Sequence, residues 1–418
     1  MKYDLAIIGA GWAGFNAAVS AAKLGKSVAL IEKGSIGGTC LNKGCIPTKA
    51  FLQYSKKNSS LAEIKSKTNE TVSRLGSGMA YLVKNYKIDY LSDSAAHIES
   101  EDSILIGADK KISTRFILIA TGSVPVELPQ LKIDHKQVIS SDDVFSLESI
   151  PKKILIVGGG VIGCELACFF ERMGSSVDIV EITESLLPGV DSNITKKLQQ
   201  SLQKAGITVY LAKKLEELDL ASYDKILLAV GRRPVFNGLW SEELGIKTEK
   251  AAIVVDRFLR TSVRNIFACG DCIGGYMLAH VASYEGELAV SNMFSKPKPR
   301  DYSSVPASVF TTPEIGTIGV SEAEAKKAGT DYKANTVHFL SVGMAHILGD
   351  AQGFLKVIIE KKTGRILGAS IIGVLATELV NIFSVAMKNK LSISDLRQTI
   401  FAHPSISEII AEAAKTFN

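Results

Sequence analysis

Nowhere in the 418 residues does an uninterrupted apolar run reach the ~18 residues that a membrane-spanning helix needs, which argues against a membrane span. A charged leader, a long apolar stretch and a cleavage site are also missing from the start. Met1, Lys2, Tyr3 and Asp4 lead straight into a short apolar segment, so the expected compartment is the cytoplasm. Charge of one sign is scarce. A net charge of +5 over this length, with lysine pairs scattered along it, implies neither a nucleic-acid surface nor a membrane patch. Six cysteines in a cytoplasmic chain are expected to be reduced, catalytic or buried rather than a disulfide framework.

What is present is ordinary for a globular protein: 46% hydrophobic and 22% charged residues, enough for a full core. The length predicts two to four domains. The expected fold class is α/β; the motifs that follow predict two Rossmann-like dinucleotide-binding domains, and the resemblance they carry implies a C-terminal α+β dimerisation domain.

The first 32 residues carry a complete nucleotide-binding pattern. Residues 3–8 predict a buried strand, which runs into Gly9, Gly11 and Gly14 and then a helix rich in alanine. A second strand is predicted over Ser27 to Ile31 and ends at Glu32. Gly9 makes the tight turn, Gly11 lets a pyrophosphate reach the backbone, and Gly14 lets helix and strand pack closely. The helix N-terminus favours phosphate, and Glu32 accepts from ribose hydroxyls. A lone GxGxxG says little; strand, glycines, helix, strand and acid together say much.

The pattern then repeats. A strand over Lys153 to Val157 meets Gly158, Gly160 and Gly163, and a second strand over Ser176 to Val180 ends at Glu181. In both copies the acid lies 18 residues past the last glycine. Two chance matches with equal spacing are improbable, so each copy predicts one dinucleotide site. Each copy also closes with a strand that stops at a glycine edge, at Thr121 and Gly122 in the first and at Gly231 in the second. Glu181 repels a 2′-phosphate and no arginine follows it closely, so the second site is expected to prefer NAD to NADP.

Directly after the first copy come Cys40 and Cys45, within a run from Gly37 and Gly38 to Thr48 and Lys49. Gly37 and Gly38 let the backbone approach a flat ligand closely, and Pro47 reads as a stiffened entry. Such a pair alone is equally compatible with metal ligands, inert thiols or a structural disulfide. Beside a nucleotide site it reads as a dithiol that opens and closes. Thiols do not take hydride directly from nicotinamide at useful rates, so a two-electron mediator, a flavin, fits the first site.

On these motifs the chain resembles the FAD-dependent pyridine nucleotide–disulfide oxidoreductases, from residue 3 to about 414. Further matching segments are Gly270-Asp271-Cys272, the run Met277, Leu278, Ala279 and His280, the run from Ala229 to Pro234, and the ending from His403 to Glu408. The resemblance implies FAD held by the first copy together with Gly38, Thr39, Lys49, Ala96, Thr121, Gly122, Asp271 and residues 277–280. It implies that Lys49 pairs with Glu165 near the reactive nitrogen of the flavin. It places Cys45 against the flavin and Cys40 where substrate exchanges. His403 would be the base of dithiol exchange, oriented by Glu408; on spacing alone His403 is equally a capping residue before a helix.

The implied domains are residues 1–150 (FAD and dithiol), 151–234 (NAD), 235–300 (completing the FAD site) and 301–418 (dimerisation). In the last, antiparallel strands are predicted over 354–360 and 366–373, and helices over about 378–390 and 407–415. The implied partners are a second copy of the chain, whose histidine completes each site, and lipoyl domains of 2-oxoacid dehydrogenase or glycine-cleavage complexes. The implied reaction oxidises protein-bound dihydrolipoamide and passes electrons through the cysteine pair and FAD to NAD+. Two readings stay open beside it: a reductase of another small disulfide or of a metal ion, and a structural flavoprotein subunit. Phe401 stands where lipoamide-oxidising relatives often carry histidine, and residues 56–77 form a polar, shortened segment; both bear on which disulfide is taken. Cys164, Cys168, Cys269 and Cys272 lack zinc-site spacing and are expected to be buried thiols, and no metal is expected. His97, His135, His338 and His346 show no ligand spacing and read as ordinary polar residues.

Overall fold

Residues 2–57 and 59–417 are described by a computed structural model, which divides into two units. The first comprises residues 1–132, 140–147 and 231–300; the second comprises 133–139, 148–230 and 301–418.

In the first unit the apolar run Lys2–Ile8 is the centre of a parallel sheet. Val28–Ile31 and then Asp89–Leu91 lie on one side, and Lys110–Ile119 and then Ile266–Ala268 on the other. Strand residues alternate between faces, and both faces are apolar here. Leu5, Ile7, Leu30, Leu118 and Phe267 pack against the helices Trp12–Lys23 and Ala279–Phe294. Ala6, Ile8, Ala29, Ile31, Ile117 and Ile119 pack against Ile98 and Ile104 of an antiparallel excursion. Burial of both faces is why these strands read as continuous hydrophobic runs rather than alternating ones. Ser27, expected to begin the second strand, lies just before it: its backbone and hydroxyl bond Asp4 instead. The closing strand stops at Ile119, two residues before Thr121, which frees Thr121 and Gly122 for the loop.

The polar segment is helical from Leu61 onward. Leu61–Asn85 runs for 25 residues, opened by a capping box in which Ser60 and Glu63 satisfy each other's backbone N–H groups. It buries Ile64, Thr68, Met79 and Val83 and leaves the rest of its surface largely polar.

The second unit holds the repeat. Lys153–Val157 lies between Ser176–Val180 and Lys225–Leu228 in a parallel sheet, both strands of the second copy falling where the spacing predicts. The strand expected to run up to Gly231 ends at Leu228. Residues 306–373 form a separate antiparallel sheet in the order Pro306–Val309, Ile315–Gly319, Ile366–Gly373, Gly353–Glu360, Tyr332–His338. The helices Ala376–Lys388 and Glu408–Lys415 cover it over a core that includes Phe339, Phe383, Ile409 and Ile410.

Candidate active site

Both glycine loops are built alike, atom for atom. Gly9 and Gly158 have φ of +105° and +110°, and a Cβ on either would lie 2.3 or 2.5 Å from a carbonyl oxygen, of Ala120 or Ala229. A Cβ on Gly14 or Gly163 would lie 1.8 or 2.0 Å from the carbonyl oxygen of Gly9 or Gly158. No side chain fits at these four positions. At Gly11 and Gly160, by contrast, a Cβ meets nothing within 4 Å, the open space that a pyrophosphate at the helix N-terminus would need. That pair of open cradles is the fit expected of two dinucleotides.

The terminal acids complete each loop. Glu32 accepts from the backbone N–H of Ala10 at 2.6 Å and of Gly34 at 2.7 Å. Buried Glu181 accepts from the N–H of Gly159 at 2.7 Å and from the N–H and hydroxyl of Thr183 at 2.8 and 2.9 Å. A carboxylate has about four lone-pair sites, so each acid keeps capacity for a ribose hydroxyl. Ala96 opens its strand two residues after Ser94, whose N–H donates to the Glu32 carbonyl at 3.0 Å.

Gly37 and Gly38 act differently from expectation. Their close approach is to the first glycine loop itself: Gly37 N–H donates to the Ala10 carbonyl at 2.8 Å, and a Cβ on Gly38 would lie 2.8 Å from Gly11 Cα. The thiol run is thereby docked on the nucleotide cradle. Thr39 and Cys40 lie on the short helix Gly38–Asn42, and Cys45 opens the helix Cys45–Ser55, with Pro47 in its first turn, where a missing N–H is harmless. Thr48 donates from its N–H and hydroxyl to the Gly44 carbonyl at 3.0 and 2.6 Å, which fixes the reversal between the two helices.

That reversal brings the two sulfurs together as thiols. Cys45 is exposed and Cys40 half-buried. The hydrogen bond with Cys45, then burial, pushes the Cys40 thiol well above the ordinary thiol range. Lys49 follows one turn later on the same helix, in the first unit. Glu165 belongs to the second unit, where it is buried on Val161–Arg172 and accepts from Phe310 N–H at 2.9 Å.

A third group of residues meets the first cradle from the far end of the chain. Glycine at 286 lets the helix Ala279–Phe294 press on Trp12–Lys23, since a Cβ there would lie 2.3 Å from the Ala13 carbonyl oxygen. Gly270 likewise sits against the Ala13 side chain. Asp271, Met277, Leu278, Ala282 and Glu285 consequently line one recess at the helix N-terminus, with Ala279 and His280 in the first turn. Met277 adopts a left-handed φ of 45°, unusual for a side chain of its size. Buried Glu285, which sequence reasoning missed, accepts from Gly270 N–H at 2.7 Å. A signal was available: an acid amid an otherwise apolar helix face.

In the second unit, His403 Nδ1 and Glu408 Oε1 are 2.8 Å apart, and the second Glu408 oxygen accepts from Ser405 N–H at 2.9 Å. These bonds, the His403 one foremost, hold the Glu408 carboxyl below the usual range. The histidine side chain is 79% exposed, so its Nε2 is presented outward. Gly231 lies in the first unit with a φ of +111°, and its carbonyl accepts from Val126 N–H at 3.0 Å.

The remaining cysteines are buried. Burial raises Cys168 to about 11 and Cys272 to about 12 and pushes Cys164 and Cys269 up as well, which keeps all four protonated and unreactive. Among the described histidines, His97 and His346 bond backbone carbonyls of Gly238 and Leu340.

Comparison with known proteins accords with this arrangement. Residues 3–286 match the family described as pyridine nucleotide-disulphide oxidoreductase, and residues 305–414 match its dimerisation domain, which supports a homodimer. The chain is 36% identical to a dihydrolipoyl dehydrogenase of Bacillus subtilis (strain 168), over 98% of this chain and 97% of that one. It is 33% identical to dihydrolipoyl dehydrogenase 3 of Pseudomonas putida, over 99% and 97%. The first alignment spans 446 positions, more than the 418 residues here, so that relative carries segments this chain lacks. Among solved structures, a Cu(II) complex of the HOCl-induced flavoprotein disulfide reductase RclA from Escherichia coli superposes with a TM-score of 0.93 at 31% identity, covering 100% of both chains. With both domains matched along nearly its whole length, the chain belongs to the pyridine nucleotide-disulphide oxidoreductases, FAD- and NAD-using enzymes that act on a sulfur group.

Proposed function

We propose that the protein is a dihydrolipoamide dehydrogenase, acting in the cytoplasm on lipoyl domains of 2-oxoacid dehydrogenase or glycine-cleavage complexes. The observation that carries this reading is the thiol pair docked on the first glycine cradle, with Cys40 hydrogen-bonded to Cys45. Likeness to two relatives named dihydrolipoyl dehydrogenase supports it. The first copy, with Asp271 and residues 277–280, would hold FAD, and the second, with Gly158, Gly160, Gly163, Glu181 and Gly231, would hold NAD. Lys49, one turn after Cys45 on the same helix, would set a positive charge beside the flavin's reactive nitrogen.

The reaction begins with the cysteines joined as a disulfide. His403 Nε2 accepts the proton of one substrate thiol, and Glu408 at Nδ1 fixes the ring and stabilises the charge it gains. The substrate sulfur attacks Sγ of Cys40, the Cys40–Cys45 bond breaks, and Cys45 leaves as thiolate. The second substrate thiol then attacks the mixed disulfide, closing lipoamide and freeing Cys40, which takes back a proton. Two electrons from the substrate now reside on the cysteine pair. Bound FAD supplies the route by which that electron pair reaches NAD+ as hydride. Glu181 disfavours a 2′-phosphate, so NAD+ should serve better than NADP+.

A second reading, reduction of a metal ion by NADH, is favoured by one observation: a solved relative that matches over the full length of both chains is titled a Cu(II) complex. Turnover of purified, FAD-loaded protein decides between them. Steady reduction of NAD+ by dihydrolipoamide, with much slower use of NADP+, supports the first reading. No dihydrolipoamide turnover, together with NADH-dependent conversion of Cu(II) to Cu(I), would replace it with the second.

A further inference from the structure

Asp271 does not stand alone. The hydroxyl of Ser123 donates to its Oδ2 at 2.5 Å. Arg232 Nε in turn donates to the same Ser123 oxygen at 2.9 Å, and Arg232 Nη2 donates to the Ser123 carbonyl at 2.8 Å. Arg232 Nη1 lies 3.6 Å from Asp142 Oδ1, a buried atom with no hydrogen-bond donor of its own among the described residues. The backbone holds the same elements together, since Arg232–Pro234 pairs antiparallel with Ser123–Pro125. Ser123 is 7% exposed, and the Arg232 side chain 14%.

The direction of these bonds follows from chemistry. A guanidinium donates and never accepts, so its N–H occupies a lone pair of the serine oxygen. The single serine proton is then left to point at the carboxylate. One oxygen of Asp271 is thus held, which restrains the rotation of the carboxylate. Asp271 lines the recess formed with Met277 and Leu278.

We propose that Ser123 and Arg232 are positioning residues for Asp271, locking its carboxylate in the orientation that binds the ribityl and phosphate portion of FAD. This rests on the reading of Asp271 as an FAD ligand. Neither residue touches the reacting atoms; each acts by removing the rotational freedom that Asp271 would otherwise lose on binding. Arg232 is also the residue after Gly231, so the lock is anchored where the chain leaves the second nucleotide fold.

The test measures FAD release from the holoenzyme, as the rise of flavin fluorescence after dilution, beside the global unfolding midpoint of the same sample. Ser123→Ala should release FAD about 10- to 100-fold faster, the range for losing a hydrogen bond to a charged group. Ser123→Thr, which keeps the hydroxyl, should stay within about threefold of the native rate. Arg232→Lys, which lacks the two-pronged contact, should fall between. Native release from Ser123→Ala, or faster release from Ser123→Thr as well, overturns the proposal. If Asp271→Asn itself releases FAD at the native rate, the underlying reading of Asp271 fails. If Asp271→Asn is fast and Ser123→Ala is native, only the positioning role fails.

Discussion

His403 and Glu408 show how much a single pair is asked to do. An incoming thiol that meets the oxidised cysteine pair needs a base, since a disulfide accepts no proton, and the exposed ring of His403 is the candidate. We expect His403→Gln to lower dihydrolipoamide turnover by about two to four decades, the span of general-base catalysis. NADH oxidation by an artificial electron acceptor bypasses the disulfide and should survive. Equal loss in both assays would remove His403 from the proton's path. Glu408 carries a pH prediction of its own. A carboxyl held below its ordinary value favours the folded state above its unfolded pKa, and that contribution is lost as pH falls through the folded value. The gap in urea midpoint between the native protein and Glu408→Gln should therefore close below about pH 4. A gap that stays constant down to pH 3 would mean that the pair contributes nothing in solution.

At the scale of elements, the second unit is joined by a buried ion pair. Lys356 on the strand Gly353–Glu360 meets Asp191 at 2.9 Å, with the two side chains 5% and 3% exposed, and also contacts Glu322. Burial works against the ammonium charge, but bonds from Glu322 and Asp191 outweigh it and raise the Lys356 pKa. Asp191 also caps Ser192–Lys204, accepting from Asn193 N–H at 3.0 Å. The pair thus joins the nucleotide fold to the antiparallel sheet. Removing one partner leaves a buried charge, so Asp191→Ala should cost about 3–5 kcal/mol in denaturant unfolding. Lys356→Met, of similar volume and apolar, should recover most of that loss when combined with Asp191→Asn, which keeps the cap on Asn193 N–H. If Asp191→Ala unfolds like the native protein, the joint is not under electrostatic control.

For the whole molecule, the dimerisation domain raises the question of which chain's histidine serves which cysteines. Ile400, three residues before His403, is 96% exposed, an apolar side chain of the sort a partner subunit covers. If His403 serves the Cys40 of the other subunit, mixing His403→Gln and Cys40→Ser subunits should restore one working site per heterodimer. Each homodimer should be inactive. Heterodimers as inactive as their parents would instead place histidine and thiols of one chain in one site. Isolating the mixed species with two affinity tags makes the comparison direct.

Much of this was legible before any coordinates. The glycines at 9, 14, 158 and 163 announce their roles because only a missing Cβ tolerates a carbonyl at about 2 Å, and that demand is local to a turn. Apolar runs and acids at fixed spacing follow from strand and loop geometry in the same way. What the sequence hid was contact between residues far apart in the chain. Ser123 is an unremarked serine until it meets Asp271, 148 residues later, with Arg232 behind it. Gly37 and Gly38 suggest a ligand until the Gly11 loop is found against them. The polar helix Leu61–Asn85 needed its cap at Ser60 and Glu63 to be noticed. Local sterics write themselves into residue type and spacing, whereas a hydrogen bond across 100 residues leaves no mark on either partner, so only tertiary structure decides it.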